Sequence, residues 1–309
     1  MRMIAILGAS GSIGGELVKQ LIARNEPVRL VSRSPKLVPG AAEAVAADLS
    51  IFGGALNAIS GCRIAVLLAG LKYDLRVWRE LWPRIMRNAI EAAKRCHARL
   101  VFFDNVYMYG KTDGAMTEET PFRPCSEKGE VRAEIATMLL NEIKAGNLTA
   151  MIARSADFYG PRARTGIPNI LVFDKYARGN RAMWLANDSL KHSLTFTPDA
   201  ARSIVLLADN ENAWNQTWHI PTAPDPPTGK QFIELVANEF GKPPKYRVVT
   251  KPMVWAAGWF DQTVRELSEM LYQYEADYIF DSTKFTKALH FQPTSYKVGI
   301  HQTAEPYRQ

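Results

Sequence analysis

The sequence predicts an α/β protein, a doubly wound parallel sheet with a smaller C-terminal lobe, on three observations. The chain opens as strand, glycine turn, helix and strand: the apolar run Met3–Leu7, a glycine cluster, apolar residues at helical spacing, then Val28–Val31. Similar apolar runs, typical of buried parallel strands, recur between helical patterns. The 309 residues exceed the usual size of a single core, which favours a main domain plus a substrate-binding lobe.

The turn after the first strand carries three glycines in the spacing G-x-x-G-x-x-G. In such a unit one glycine permits the tight turn, another lets the backbone approach a pyrophosphate, and a third lets the helix pack close to the strand. The N-terminus of the helix attracts the anion. The pattern is therefore Rossmann-type and predicts a dinucleotide site, with a purely structural turn as the alternative. The turn residues predicted to bind the cofactor are Gly8, Ser10, Gly11, Ser12, Ile13 and Gly14.

The end of the second strand indicates which dinucleotide binds. An acidic residue there would hold the ribose 2′-hydroxyl of NAD, whereas an arginine accommodates the 2′-phosphate of NADP. This chain has Ser32 and Arg33, with Lys36 close behind and no carboxylate. We therefore expect NADP to be preferred, with NAD as the second choice. The alternative interpretation is a solvated basic loop.

Two later segments complete the predicted cofactor site. A short third strand is expected to end in Asp48, next to Leu49, and Asp48 would either contact the adenine or cap the next helix. The apolar run Ile64–Gly70 reads as a central strand. Its closing residues, Ala69 and Gly70, would let the cofactor lie against bare backbone.

Composition excludes several function classes. The hydrophobic share is 47% and the charged share 22%, as in an ordinary globular protein. The net charge is +7, but no lysine/arginine block is dense enough to predict nucleic-acid binding, and an anionic cofactor or substrate explains the charge more simply. Three scattered cysteines support neither a disulfide framework nor a metal site. No apolar run predicts a membrane span or a signal peptide, so we expect a cytoplasmic protein with a small-molecule substrate.

The remaining elements follow the same alternation. Leu75–Cys96 reads as a long amphipathic helix bent at Pro83, and its tryptophan-rich face is predicted to be core, with a homodimer interface as the alternative. A fifth strand, Arg99–Phe103, precedes a cluster of polar residues at the sheet edge where open α/β sheets bind ligands. A helix from about Ser126 to Lys144 and a sixth strand, Ala150–Arg154, come next.

The predicted domain boundaries follow from this order. Residues 1–160 form the dinucleotide-binding domain, to which 188–222 return. The segments 161–187 and 223–309 form the smaller substrate-binding lobe.

The motifs together resemble the extended short-chain dehydrogenase/reductases, a branch that includes the NAD-dependent epimerase/dehydratases. The resemblance covers most of the chain and is more specific for fold than for reaction. The segments that carry it are the glycine turn, Tyr109-Gly110, Arg154 to Gly160-Pro161, Thr197-Pro198-Asp199 and Asp281-Ser282-Thr283-Lys284.

The resemblance also implies a catalytic set, from which this chain departs. The family carries a serine or threonine after the fifth strand and a Tyr-x-x-x-Lys pair on the next helix. Here Asn105 stands at the serine position and Lys128-x-x-x-Arg132 replaces the pair, so the usual phenol is missing. The Lys-x-x-x-Arg pattern is similar to that of the isoflavone-reductase-like members, NADPH-dependent enzymes in which a lysine takes the acid/base role.

Elementary chemistry is consistent with an acid/base role for the lysine at position 128. Like charge on Arg132 one turn away, the positive end of the helix and burial under a cofactor would each disfavour its ammonium form. Such a lysine could move a proton to or from a substrate oxygen, so we predict Lys128 as the proton donor, with Arg132, Asn105 and Tyr107 in support. The alternatives are that Lys128 contacts only cofactor ribose or solvent, that Asn105 holds its turn, and that Tyr107 is packing.

Three functions stay open on the sequence alone. The leading one is an NADP(H)-dependent oxidoreductase that moves a hydride to or from a carbonyl or conjugated carbon of a small organic substrate. The second is a sugar epimerase/dehydratase with tightly held NAD(P), and the third a non-catalytic NADP-sensing regulator. His192 stands where nucleotide-sugar enzymes carry a phosphate-binding arginine, which weakens the second. Trp184, Trp255 and Trp259 are expected to be core, with pocket lining as the alternative.

Overall fold

A computed structural model describes residues 3–308 of the chain, and it contains eleven strands in that range. The strands are β1 Met3–Leu7, β2 Val28–Ser32, β3 Glu43–Ala46, β4 Cys62–Leu67, β5 Arg99–Asp104, β6 Ala150–Arg154, β7 Asp157–Tyr159, β8 Ala182–Leu185, β9 Leu194–Phe196, β10 Thr217–His219 and β11 Tyr246–Val249.

Eleven α-helices lie in the same described range. They are α1 Ser12–Ala23, α2 Phe52–Ile59, α3 Leu75–Cys96, α4 Glu127–Lys144, α5 Asp174–Ala177, α6 Thr197–Asp209, α7 Gly229–Glu239, α8 Lys251–Ala257, α9 Gln262–Ser268, α10 Thr283–Leu289 and α11 Tyr296–Ala304.

The chain divides into two compact units of nearly equal length. The first comprises residues 1–108, 127–154 and 200–218, and the second comprises 109–126, 155–199 and 219–309. The returning segment is therefore shorter than the predicted 188–222. Residues 109–126 and 155–160, which the sequence assigned to the dinucleotide-binding domain, group with the second unit.

The first unit is built on a seven-stranded sheet of order β10-β6-β5-β4-β1-β2-β3, in which the pairs from β6 to β3 are parallel. The order moves outward from β1 in both directions, which makes the sheet doubly wound and confirms the predicted fold class. The central strands are buried along their length: Ile6, Ala65 and Val101 are wholly or almost wholly inaccessible. This explains why they read as continuous apolar runs.

Two strands end earlier than predicted, and both differences affect the candidate site. β3 ends at Ala46, so Asp48 lies beyond the strand rather than at its end. β4 ends at Leu67, so Ala69 and Gly70 lie in the connection after it. Apolar composition continues past the last ladder hydrogen bonds in both cases, and composition alone does not reveal where pairing stops.

Helix α3 begins and ends as the sequence predicts and runs through Pro83. The Asp74 side chain accepts a hydrogen bond from the backbone N–H of Arg76 at 3.0 Å, which caps the N-terminus. His97, in the left-handed conformation, ends the helix. Trp78 and Trp82 are buried within the chain, so this face is core, and the predicted homodimer stays a prediction.

The second unit has two small parallel sheets, β8 with β11 and β7 with β9. Its core is aromatic: the ring of Tyr159 meets Phe232 edge-on at 5.7 Å and stacks on Tyr296 at 6.2 Å. Burial raises the pKa of Tyr159 well above its ordinary value. Helix α7 starts with a capping box between Thr228 and Gln231.

No helix in the described part of the chain combines the length and the apolar composition that a bilayer crossing requires.

Candidate active site

The glycine turn after β1 has the geometry that only glycine allows. Gly8 has φ +109°, and a Cβ there would lie 2.8 Å from the backbone N of Ala69. A Cβ on Gly14 would lie 2.5 Å from the carbonyl oxygen of Gly8. The first glycine thus permits the turn, the last permits α1 to approach it, and the connection after β4 lies directly against the turn.

The N-terminus of α1 is suited to an anion. Its N-cap, Gly11, makes no side-chain capping hydrogen bond, and the first turn of the helix has no acidic residue. Backbone N–H groups at this end therefore lack a side-chain acceptor, and the helix dipole favours negative charge. Ser10 and Gly11 are exposed, whereas the Ile13 side chain is buried, so only its backbone is suited to the predicted role. These residues fit a dinucleotide.

The end of β2 carries the predicted selectivity residues. Ser32 is the last residue of the strand, and Arg33 is exposed immediately after it. The exposed Asp48 lies close enough for the positive charge of Arg33 to act on it. Hydrogen bonds from the side chain and backbone of Ser50 lower the pKa of Asp48, and Arg33 adds a smaller contribution. Asp48 and Arg33 therefore share one polar edge.

Asp48 has a local role that differs from the predicted helix cap. Its Oδ1 accepts hydrogen bonds from the backbone N of Ser50 at 2.9 Å and from Ser50 Oγ at 2.7 Å, and the N-cap of α2 is Ile51. Leu49 is buried, and its carbonyl oxygen accepts from Asn88 Nδ2 at 3.0 Å. Gly70, by contrast, is exposed with open space around its Cα, as expected of bare backbone.

Lys128 lies in the first turn of α4 and is completely buried. Its Nζ lies 4.7 Å from the centre of the Tyr73 ring, in cation–π geometry. An inaccessible lysine at a helix N-terminus is unusual, because burial of an ammonium group is costly without compensating contacts. The structure therefore places the predicted proton donor in a special environment, and Tyr73 is a contact that the sequence reasoning missed.

Arg132 lies one turn further along α4 and forms a buried ion pair. Its Nε donates to Asp104 Oδ1 at 2.9 Å, and its Nη2 donates to the same oxygen. Arg154 Nε lies 3.5 Å from the other oxygen of this carboxylate. Asp104, at the end of β5, thus sits between two arginines, and all three side chains are at most 5% exposed.

Aromatic rings enclose the same guanidinium. The Arg132 Cζ lies 4.7 Å from the ring centre of Trp82, 5.1 Å from Phe102 and 5.9 Å from Trp78. Because Asp104 and these rings hold its charge, the guanidinium repels Lys128 less than the bare spacing suggested. Arg132 fixes the first turns of α4 to β5 rather than acting as an open cation.

Asn105 and Tyr107 lie directly after β5. Asp104 Oδ1 accepts from the backbone N of Asn105 at 2.9 Å, and Asn105 Oδ1 accepts from the backbone N of Tyr107 at 3.2 Å. The Tyr107 ring stacks on Trp78 at 6.3 Å. These contacts favour the turn-holding role for Asn105 and the packing role for Tyr107, the alternatives to their predicted catalytic support.

Two family landmarks in the second unit are explained by packing. Gly110 has φ +67°, and a Cβ there would lie 2.0 Å from the carbonyl oxygen of Arg123. A Cβ on Gly160 would lie 1.9 Å from Thr197 Oγ1. Both glycines permit close approach of chain segments, which is why these motifs report the fold better than the reaction.

His192 is buried in an aromatic stack within the second unit. Its ring lies between those of Tyr274 and Tyr278, with centres 4.5 and 4.3 Å away, and its Nε2 is 3.0 Å from Asp157 Oδ2. Tyr274 also donates to Asp157 Oδ2, at 2.9 Å. The position at which nucleotide-sugar enzymes carry an arginine is thus an imidazole held by a carboxylate.

The three tryptophans expected to be core differ in burial. Trp184 is buried, as predicted. Trp255 and Trp259 are 62% and 70% exposed, with their rings 5.0 Å apart, and so the core prediction is wrong for both. They lie in and just after the short helix α8, whose buried side is provided by Val254.

A match to a known protein family confirms the resemblance that the sequence motifs indicate. Residues 4–220 match the model of the NAD dependent epimerase/dehydratase family. The chain belongs to this family. A search among curated proteins found no match.

Solved structures of epimerases and dehydratases share the fold along the whole chain. The UDP-glucose 4-epimerase of Thermus thermophilus in complex with NAD is 18% identical, with a TM-score of 0.79 over 100% of this chain and 99% of that one. The UDP-glucose 4-epimerase of Thermotoga maritima with UDP-glucose is 18% identical, with a TM-score of 0.82 over 99% and 98%. The dTDP-glucose 4,6-dehydratase of Streptomyces venezuelae with NAD bound is 19% identical, with a TM-score of 0.78 over 100% and 97%.

Membership in this epimerase/dehydratase family confirms the prediction of an enzyme and disfavours the non-catalytic regulator. The family is NAD(P)-dependent, which agrees with the glycine turn. The comparisons support the epimerase/dehydratase alternative better than the leading prediction of a net reductase. The Lys128-x-x-x-Arg132 pattern, the preference for NADP and the substrate stay predictions.

Proposed function

We propose that this family member is an NAD(P)-dependent enzyme that moves a hydride at an oxygen-bearing or conjugated carbon, with Lys128 handling the proton. One observation carries the proposal: Lys128 is completely buried in the first turn of α4, where the resemblance puts the tyrosine of the family. A buried amine in the unit that carries the glycine turn is suited to proton transfer at a substrate oxygen.

Each part of the first unit contributes a separate task. The nicotinamide of the cofactor, when bound, supplies or accepts the hydride. The turn Gly8–Gly14 and the N-terminus of α1 would hold the pyrophosphate, and Arg33 would hold a 2′-phosphate. Lys128 gives its proton to the oxygen on which negative charge develops. Asp104 fixes Arg132 and thereby the first two turns of α4 that carry Lys128.

Recycling of the cofactor within each turnover is the reaction type that the comparisons support. The matching family and the similar structures are epimerases and dehydratases, and those neighbours bind NAD and sugar nucleotides such as UDP-glucose. We therefore propose an epimerase/dehydratase as the first candidate, with a lysine in place of the tyrosine. Because His192 is buried and paired with Asp157, we expect that this position does not bind the diphosphate of a sugar nucleotide as an arginine would.

Net NADPH-dependent reduction is the second candidate. Two features of this chain favour it: Arg33, with no carboxylate at the end of β2, and the Lys-x-x-x-Arg pattern, which resembles that of NADPH-dependent reductases. Under this candidate the substrate is a carbonyl or conjugated small organic molecule, and cofactor is consumed in proportion to product.

A single assay separates the two candidates. The purified chain is incubated with UDP-glucose, dTDP-glucose and a panel of aldehydes, ketones and enones, with each cofactor, while absorbance at the reduced nicotinamide band and product formation are followed. Product without net cofactor oxidation supports the epimerase/dehydratase, and equal amounts of product and oxidised NADPH support the reductase.

The role of Lys128 is tested with the substrate that this panel identifies. We expect Lys128→Ala to lower kcat by about two to four orders of magnitude, the usual contribution of a general acid. Lys144→Ala, at an exposed lysine in the last turn of the same helix, is the matched control and should retain activity. Full turnover by the folded Lys128→Ala protein would remove the lysine from the mechanism.

A further inference from the structure

The segment before α3 covers the candidate catalytic amine with an aromatic ring. Lys128 Nζ lies 4.7 Å from the centre of the Tyr73 ring, and the lysine is 0% exposed. The face of a phenol ring is negative, so it attracts an ammonium group and has no such attraction for a neutral amine. The contact is stronger in a buried place than on a surface, because water does not compete for the ammonium group.

The ring of Tyr73 is itself held in place. Trp78 meets it edge-on, with ring centres 5.6 Å apart and planes at 84°. Trp78 Nε1 donates to the carbonyl oxygen of Lys72 at 3.0 Å, and Asp74 caps α3 through the backbone N of Arg76. The residues on both sides of Tyr73 are thus tied to the first turn of α3.

Charged groups on neighbouring elements reduce the repulsion that Lys128 experiences. Arg132 lies one turn from Lys128 on α4 and donates two hydrogen bonds to Asp104 on β5. Arg154 approaches the same carboxylate at 3.5 Å, so Asp104 offsets one of two positive charges. The carboxylate of Asp74, next to Tyr73, is also buried and pairs with Arg76 at 3.3 Å. The ring of Tyr73 favours retention of the proton of Lys128 against the repulsion that remains.

We infer that Tyr73 is a positioning residue that holds Lys128 as an ammonium ion, ready to donate a proton rather than to accept one. The consequence for catalysis rests on the proposed function, whereas the hold on the amine does not. This assignment goes beyond the family pattern, because it concerns a residue on the connection after β4 and not on α4.

The attraction between the Tyr73 ring and the Lys128 amine is measured without substrate, through the chemical reactivity of the amine. Acetic anhydride acetylates a lysine only when its amine is neutral and within reach of the reagent, so the rate at the buried Lys128 reports how readily the amine leaves the ring and loses its proton. Peptide mass spectrometry gives this rate, with the exposed Lys36 as internal reference. We expect Tyr73→Phe to leave the rate unchanged and Tyr73→Leu to raise it roughly tenfold. Thermal unfolding of each variant verifies the fold.

A series of fluorinated phenylalanines at position 73 separates charge attraction from simple shielding. Mono-, di- and trifluorination weaken the negative face of the ring stepwise while its size hardly changes. The acetylation rate of Lys128 should rise with each fluorine if the ring holds an ammonium ion. A flat series would overturn the inference, since a ring that only shields the amine would protect it equally in all three variants.

Catalysis gives the second readout, with the substrate found by the activity panel. We expect Tyr73→Leu to lower kcat about tenfold with KM nearly unchanged, and Tyr73→Phe to restore kcat. A flat series alongside an inactive Lys128→Ala variant would overturn the role of Tyr73 and leave the proposed function standing. A sloping series alongside a fully active Lys128→Ala variant supports the hold on the amine and contradicts the proposed function.

Discussion

Replacing Asp104 by asparagine should destabilise the protein far more than the loss of a surface ion pair. The side chain is isosteric, but it leaves Arg132 and Arg154 buried at 5% and 1% exposure without their shared carboxylate. Breaking a buried pair in this way costs about 3–5 kcal/mol, because the cations cannot be resolvated. At about 2–4 °C per kcal/mol, the melting temperature should fall by roughly 6–20 °C.

The assay is thermal and urea unfolding followed by tryptophan fluorescence, with Asp209→Asn as the matched control. Asp209 pairs with Arg24 at 2.5 Å, with both side chains at least 40% exposed. Such a pair contributes about 0–1 kcal/mol. If Asp104→Asn and Asp209→Asn shift the midpoint equally, the reasoning that Asp104 stabilises the two buried arginines is refuted.

Three further predictions concern the cofactor turn, cofactor choice and alkaline stability. Gly14→Ala should lower the free energy of unfolding by about 1–3 kcal/mol and abolish cofactor binding measured by calorimetry, because its Cβ would lie 2.5 Å from the carbonyl oxygen of Gly8. Gly15→Ala is the control: its Cβ would have nothing within 4 Å, and the free energy of unfolding should rise by up to about 1 kcal/mol. Arg33→Ala should weaken NADPH binding about ten- to hundredfold relative to NADH, the range for a lost charge-assisted contact, and an unchanged ratio would contradict the selectivity role. A hydrogen bond to Asp188 raises the pKa of Tyr246 to about 12, so the stability that this bond contributes is complete below pH 10 and is lost between pH 10 and 12. Between these pH values the free energy of unfolding should fall more steeply for the wild type than for Tyr246→Phe. Parallel curves of unfolding free energy against pH would contradict this prediction.

The sheet could be predicted from sequence because its signals are local. Each central strand is buried on both faces and therefore appears in the sequence as an apolar run, and the constraint on Gly14 arises from the carbonyl oxygen of Gly8 in the same turn. Element ends were less accurate: β3 stops two residues before Asp48, since pairing ends where the neighbouring strand ends. The end of β3 therefore depends on where β2 ends, which the sequence of β3 does not contain.

The surroundings of the candidate catalytic lysine could not be predicted in the same way. Tyr73 lies 55 positions before Lys128 in the sequence, and Asp104 comes from a third element. No periodicity connects these residues; only the order of β4 and β5 in the sheet brings their ends to neighbouring positions. Position alone marked the end of β5 as a ligand-binding edge, but it gave no indication that Asp104 would pair with an arginine.

The charge of Lys128 decides which chemistry this site can perform. The sequence gives three reasons for a neutral amine: like charge on Arg132, the helix N-terminus and burial. The structure weakens the first, because Arg132 is hydrogen-bonded to Asp104, and adds an opposing one, because the Tyr73 ring lies beside the amine. A lysine held as ammonium cannot abstract a hydroxyl proton, but it can stabilise and protonate a developing alkoxide. Under the proposed function, the site is therefore ready as it stands in the reduction direction. Oxidation of an alcohol, with which a turnover of the epimerase/dehydratase candidate begins, requires Lys128 to lose its proton first.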